Sequence, residues 1–502
     1  MLHRSIRDPA AIPLTAHLAF RMERTKGDAA TMLEGAPDLD TLFAAHSELL
    51  RSRYAGALEA CGFTSVLIHA GAPPAVFEDD QHYPFRVNAA FKSWVPLTDV
   101  PDSWLYFEPG LTPLLIFSRP EDFWYKAAAL PEGYWTRHFE IRPAKDRNAA
   151  REALPDDLSR TAFFGAPDEE IASWGACANP RELILRLDFT RAVKSPYELA
   201  CLRHANRLGA RGHVAAARAF AAGATEFEIE LAYLAACGLR EQELPYSSII
   251  AFNEAASVLH YQLLERRPPA ARNSLLIDAG AEFAGYASDI TRTYSFRDAD
   301  FAALIGHMDE LQQSLCASVR AGTDWRDIHL SAHHLTAELL QEADITFCDP
   351  DEAVDTGLSS VFLPHGIGHL LGLQVHDVGG LARAAEGGEI PRPAGHPYLR
   401  LTRVLEAGFV VTMEPGIYFN EQLLAEARAD TRGNKINWAR VEQFRPFGGI
   451  RVEDDLAVSV NGCENLTREA FSALQAGREF LPAGPLSLSA APERSGSAAS
   501  DG

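Results

Sequence analysis

Four acidic residues in the second half of this chain, Asp278, Asp289, Glu414 and Glu453, lie at the ends of short apolar runs or within them. A fold that buries all four must bury positive charge beside them. Ser274 to Asp278 reads as a strand through Leu275, Leu276 and Ile277, and Tyr286 to Phe296 alternates like a second, with Gly285 supplying turn chemistry. A hairpin turning about Phe283 and Ala284 sets Asp278 directly opposite Asp289, with Cβ atoms roughly 5 Å apart. Like charges facing across a ladder destabilise it unless cations lie between them, and a pair of hard divalent metals is the simplest remedy. Two carboxylates on a wet hairpin face are the alternative.

The segment from Pro364 to Asp377 places His365, His369 and His376 within twelve residues on a background of glycine and leucine. Each buried imidazole needs partners for two nitrogens, so three at this spacing point to chemistry rather than packing. Phe409 to Met413 is an apolar strand that delivers Glu414 where Pro415 and Gly416 break it. Gly448 to Asp455 reads as one further strand, with Arg451 and Glu453 on one face and Ile450 and Val452 on the other. The four carboxylates carry four negative charges, which two divalent cations balance. Oxygen-rich donors with one imidazole favour manganese, with cobalt, iron or zinc able to take its place.

The spacing of these segments resembles the pita-bread metallopeptidases, and within them the bacterial Xaa-Pro dipeptidases, or prolidases. The resemblance runs from about Pro37 to Phe480. It also rests on Asp79-Asp80, Tyr83 to Asn88, Leu244-Pro245-Tyr246, Asn253-Glu254, Val258 to Tyr261 and Pro397 to Arg400. It implies two metals, with Asp278 on one, His369 and Glu414 on the other, and Asp289 and Glu453 bridging. Glu414 would also move the proton, His365 and His376 would touch substrate, and His260, Tyr246 and Arg451 would line the pocket. The implied reaction is hydrolysis of dipeptides ending in proline, with a side activity on organophosphate esters. Aminopeptidase P, which takes longer peptides, and a non-catalytic binding protein of the same fold are the alternatives. The N-terminal domain is implied to form a homodimer and close the partner's site, with Asp79, Asp80 and Trp124 as candidates for that contact.

The expected fold is α+β: a smaller α/β domain, residues 37–190, before a pita-bread catalytic domain, residues 191–481. Residues 1–36 read as an extension, and 482–502, rich in Ala, Ser, Gly and Pro, as a disordered tail. Ser195 to Glu198 and Thr225 to Glu228 are capping boxes that start helices ending near Gly223 and Gly238. A net charge of −22 argues against nucleic acid as a partner. The sequence offers no run of about 18 apolar residues for a membrane span. Seven dispersed cysteines without close pairing read as a reducing cytoplasm.

Overall fold

The computed structural model describes residues 38–476 except 125, 127 and 167. The expected extension and tail lie outside the described residues. Leu39–Cys61 is helical and buries Phe43, Leu50, Tyr54 and Leu58 along one stripe. That stripe packs on a six-stranded mixed sheet ordered Glu140–Ala144, Leu114–Ser118, Trp104–Phe107, Ser65–His69, Thr161–Phe164 and Cys177–Ala178. Every residue of the Ser65–His69 strand is buried, as expected where both faces are covered. Val66 and Ile68 meet the helix, while Leu67 turns to Trp104, Leu158 and Phe163 on the other side. The first of these cores runs on without a break to Tyr197, Leu202, Tyr286 and Val410.

Both capping boxes are present. Ser195 accepts from the backbone of Glu198, whose carboxylate returns to the Ser195 amide at 2.7 Å, and the helix Pro196–Ala222 stops at Gly223. Thr225 and Glu228 do the same for Glu226–Cys237, which stops at Gly238. This helix pair packs through Phe220, Ile229 and Tyr233 on an antiparallel sheet whose middle strand is Ser274–Asp278, flanked by Thr291–Ser295 and Ile249–Phe252. A second pair, Ala299–Ser318 and Trp325–Glu342, shares a core with a second sheet, in which Asp454–Val458 lies between Val410–Met413 and Cys463–Asn465. The fold is the expected α+β class with a smaller α/β layer in front.

Two local readings are corrected. The hairpin turns one residue later than expected, because Ala284 and Gly285 both take positive φ, 51° and 89°, which makes a two-residue type I′ loop. Phe283 pairs with Tyr286 and Asp278 with Thr291, so Asp289 is a diagonal neighbour of Asp278 rather than its direct partner. The second strand is also interrupted between Ala287 and Thr291. There Ser288 Oγ accepts from the Ala281 amide at 3.0 Å, and Asp455 accepts from the Asp289 amide at 3.1 Å, so side chains replace ladder bonds. The single strand expected from Gly448 to Asp455 is likewise two, Gly449–Arg451 and Asp454–Val458. Between them the Val452 amide bonds to Pro415 and the Glu453 amide to Thr291, so the chain crosses from one sheet to the other at Glu453.

Candidate metal centre

That crossing brings the four carboxylates together. Asp278 ends the middle strand of the first sheet, Asp289 sits in the interruption beside it, Glu453 bridges to Thr291, and Glu414 leaves the second sheet at Pro415. His369 joins them from a segment stitched to the Val410–Met413 strand. The His369 amide bonds to Thr412 Oγ1, the Thr412 amide to the His369 carbonyl, and the Glu414 amide to Ile367. Gly368 is what allows so close an approach: its φ is 158°, and a Cβ there would lie 2.1 Å from the Thr412 carbonyl oxygen.

All five surround a cavity of about 430 Å³, which His260, His365, His376, Tyr398, Arg400 and Arg451 also line. Ligand atoms of Asp289, His369 and Glu453 lie within 4.8 Å of one another. His369 Nε2 is 3.4 Å from Asp289 and 3.6 Å from Glu414. Its Nδ1 faces the Leu370 carbonyl at 3.1 Å, which fixes Nδ1 as the protonated nitrogen and leaves Nε2 for the site. Tyr246 reaches in from behind, its hydroxyl 2.8 Å from Asp278 and 2.6 Å from Asp289.

Arg451 does not pair with Glu453, although the two were expected on one face of a strand. Buried, it holds Asp278 at 2.6 Å and donates to the Tyr418 hydroxyl at 2.9 Å and to Thr291 at 3.1 Å. The reason is the chain crossing: Arg451 and Glu453 belong to different ladders. Tyr418 carries no role in the sequence reading, yet it links Arg451 to His365 Nε2, 2.8 Å away. The signal was available, since Tyr418 lies two residues beyond Gly416 and so on one face with it in an extended strand. Asp455 was also passed over, though it positions Asp289 through the backbone. Asp79, Asp80 and Trp124 are exposed and do not line this cavity; Trp124 packs on Phe123 with ring centroids 4.7 Å apart.

Electrostatics agree with a cation-binding role. Burial pushes the Glu414 carboxyl up to about 7 against the pull of His369, and burial with Asp289 and Glu414 nearby drives Glu453 well above the carboxylate range. Burial also raises Asp278 despite Arg451. Burial would raise Asp289 as well, but His369 outweighs it and holds that carboxyl below its ordinary range. The other three need divalent charge to ionise beside it, and four carboxylates with one imidazole suit a hard metal pair. Burial alone would lower His369, but Asp289 and Glu414 outweigh it and hold the imidazole up at about 9. The folded, metal-free protein therefore keeps a proton that the unfolded chain has already lost at 6.5. Its stability contribution is complete below pH 6.5 and is lost as pH rises through 9. A bound cation replaces that proton. The rise in Tm on adding divalent metal to stripped protein should accordingly grow from pH 6.5 to 9, and a rise independent of pH would contradict the assignment of His369.

Two family models match the chain. "Xaa-Pro dipeptidase, N-terminal domain" covers residues 41–189, and "Metallopeptidase family M24" covers residues 200–459. A curated Xaa-Pro dipeptidase of Stenotrophomonas maltophilia is 47% identical over 437 residues, which span 87% of this chain and 98% of that protein. One from Xanthomonas axonopodis is 46% identical over 438 residues, 87% of this chain and 99% of its own. Among solved structures, aminopeptidase PepP of Pseudomonas aeruginosa superposes with a TM-score of 0.62 at 23% identity, covering 86% of this chain and 99% of its own. A zinc-substituted Escherichia coli aminopeptidase P gives the same values. At that identity the structural likeness speaks for the fold alone.

Proposed function

This chain belongs to metallopeptidase family M24, and we propose that it is a metal-dependent Xaa-Pro dipeptidase, releasing proline from the C-terminal side of dipeptides. One observation carries the reading: four carboxylates, one imidazole fit to join them as metal ligands, and three further histidines line a single cavity of about 430 Å³, in a chain 47% identical over most of its length to a protein named for that activity. The cavity lies toward the small end of the roughly 300–1,000 Å³ usual for ligand sites, which suits a short peptide.

Asp278, Asp289, His369, Glu414 and Glu453 would hold the metals, manganese by our reading, with cobalt, iron or zinc as substitutes. Two divalent cations there would supply Lewis acidity, acidifying a water and polarising the scissile carbonyl. Glu414 takes the water's proton and returns it to the leaving nitrogen. With proline as leaving group that nitrogen belongs to a tertiary amide without N–H, so a site that asks for no hydrogen bond from it has the advantage. Burial lowers His376 to about 4, so near neutrality it is an uncharged N–H donor for the carbonyl oxygen as charge develops. His365 is held in the same uncharged form and, through Tyr418, is tied to Arg451. A guanidinium has five N–H donors and three of Arg451's are engaged, so two are left for the substrate carboxylate, together with His260 on the cavity wall.

The family matches support a division near residue 190, with 37–190 as the N-terminal domain and 191–481 as the catalytic one. We further propose a cytoplasmic homodimer in which Asp79, Asp80 and Trp124 approach the partner's site. Their exposure, and seven cysteines none of which is in a disulfide, support this. No helix of the described residues is long and apolar enough to cross a membrane. Organophosphate esters, tetrahedral like the peptide intermediate, are a proposed side substrate.

Metal-stripped protein resupplied with manganese should cleave Ala-Pro and Leu-Pro but not Ala-Pro-Ala. Cleavage of the tripeptide would make the chain an aminopeptidase P, and silence on all three would favour a binding protein. Repeating the assay on dilution, beside sedimentation, tests the dimer: full activity in a proven monomer removes the cross-subunit role.

A further inference from the structure

The helix Trp325–Glu342 carries His329 and His333 one turn apart, on the face that turns into the protein. Both are 1% exposed. His396, between Gly395 and Pro397 in a loop, completes a triangle with them. The ring centroids are 4.7, 4.6 and 4.4 Å apart and every pair is steeply tilted, from 62° to 90°. One nitrogen of each lies within 4.8 Å of the other two. Neither nitrogen of His329 has a hydrogen-bond partner, nor does Nε2 of His333. Buried imidazoles are almost always satisfied, so three orphaned nitrogens at one point call for an explanation. The remaining nitrogen of His333 sits 3.0 Å from Ser359 Oγ. An Nδ1–H donated there leaves the Nε2 lone pair aimed at the cluster, the arrangement by which a second contact orients a metal-binding histidine.

We propose that His329, His333 and His396 form a third metal site, separate from the carboxylate centre and selective for a borderline divalent ion of the zinc type. No carboxylate contributes a ligand, so the donor set is three neutral imidazoles, which suit zinc, copper or nickel and hold manganese poorly. Burial keeps His329 and His333 far below the usual imidazole range, hence in the uncharged form that ligates. A cavity of about 180 Å³ opens beside the three rings and leaves room for a fourth ligand such as water. Zinc–nitrogen bonds of about 2.0–2.1 Å in a tetrahedron separate the nitrogens by roughly 3.3 Å, which the three imidazole nitrogens, all within 4.8 Å of one another, can reach.

The position gives the site a consequence. His365, Pro364 and Tyr398 line both this small cavity and the substrate cavity, and Arg400 lines the latter. An ion joining His396 to the helix would pin the Gly395–Arg400 loop, and with it one wall of the substrate cavity. This goes beyond the dipeptidase reading and does not depend on it.

The test uses the full-length protein, a His396→Asn variant and a His329→Phe variant. Each is equilibrated with zinc chloride alone, freed of unbound ion and analysed for zinc per chain. The parent should retain one more equivalent than either variant, whatever number the carboxylate centre holds. The zinc-induced rise in Tm should also be smaller in the variants. Equal zinc in all three proteins overturns the proposal. Two variants are used so that loss of fold in one, read by circular dichroism, leaves the other to decide.

Discussion

Replacing Glu414 by Gln should lower turnover of Ala-Pro by about 10²- to 10⁴-fold, the range over which a general acid–base group acts. Glu414 leaves its strand with its backbone held by Ile367, and its two oxygens lie 3.6 Å from His369 and 3.6 Å from His365. The carboxylate is aimed between two imidazoles at the cavity, and burial raises it to about 7, where a group can both take and return a proton near neutrality. Glutamine matches the shape and retains an oxygen that can ligate, but it carries no transferable proton. The loss should therefore fall on kcat with KM little changed. Elemental analysis of the variant separates two causes: full metal with slow turnover indicates proton transfer, and depleted metal indicates ligation. A variant within tenfold of the parent at saturating metal would remove Glu414 from both roles.

Much of this centre was legible because its residues interrupt strong local patterns. Asp278 and Glu414 end apolar strands, and three histidines crowd an apolar segment in which His369 is buried, His365 half-buried and His376 exposed, so a polar site at the edge of the core follows from hydrophobic periodicity. The capping boxes at Ser195 and Thr225 were equally readable, since a cap is decided within four residues. What escaped the sequence depends on contacts between distant segments. The hairpin register turned on Ala284 accepting a positive φ that favours glycine or asparagine, a choice made by the rest of the sheet. Alternation puts Arg451 and Glu453 on one face of a single strand, but the crossing that sends them to different partners is fixed by Pro415 and Thr291, far away in sequence. The triangle of His329, His333 and His396 was missed for the same reason. Its i, i+4 pair is visible on a helix, but 63 residues separate His333 from its third member.

An Asp377→Ala variant should lose about 3–5 kcal/mol of stability, the usual effect of breaking a buried ion pair from one side. Asp377 follows His376 directly, and its side chain is fully enclosed. It accepts from Lys194 Nζ at 2.9 Å and pairs with Arg191, while its amide bonds to Leu370. Lys194 is equally enclosed, and its other bonds go to the carbonyls of Arg191 and Ala192. Removing the carboxylate leaves that ammonium without a counter-charge, whereas Arg191, partly exposed, can turn to water. A Lys194→Met, Asp377→Leu double variant should accordingly be more stable than Asp377→Ala, because it removes the orphaned charge along with its partner. Burial would raise Asp377, but Arg191 and Lys194 outweigh it and hold the carboxyl at about 2, below its ordinary 3.8. The stabilisation is therefore present above pH 3.8 and lost as pH falls through 2, and the acid limb of the stability curve should flatten in the variant. Chemical denaturation at several pH values measures both effects. A loss below about 1 kcal/mol would mean that the ammonium finds water or another acceptor. The same experiment bears on catalysis, since Asp377 anchors the segment that carries His369 and His376 to the residues just before the Pro196–Ala222 helix. A variant that folds at low temperature should show weakened metal retention before it shows any change in the N-terminal sheet.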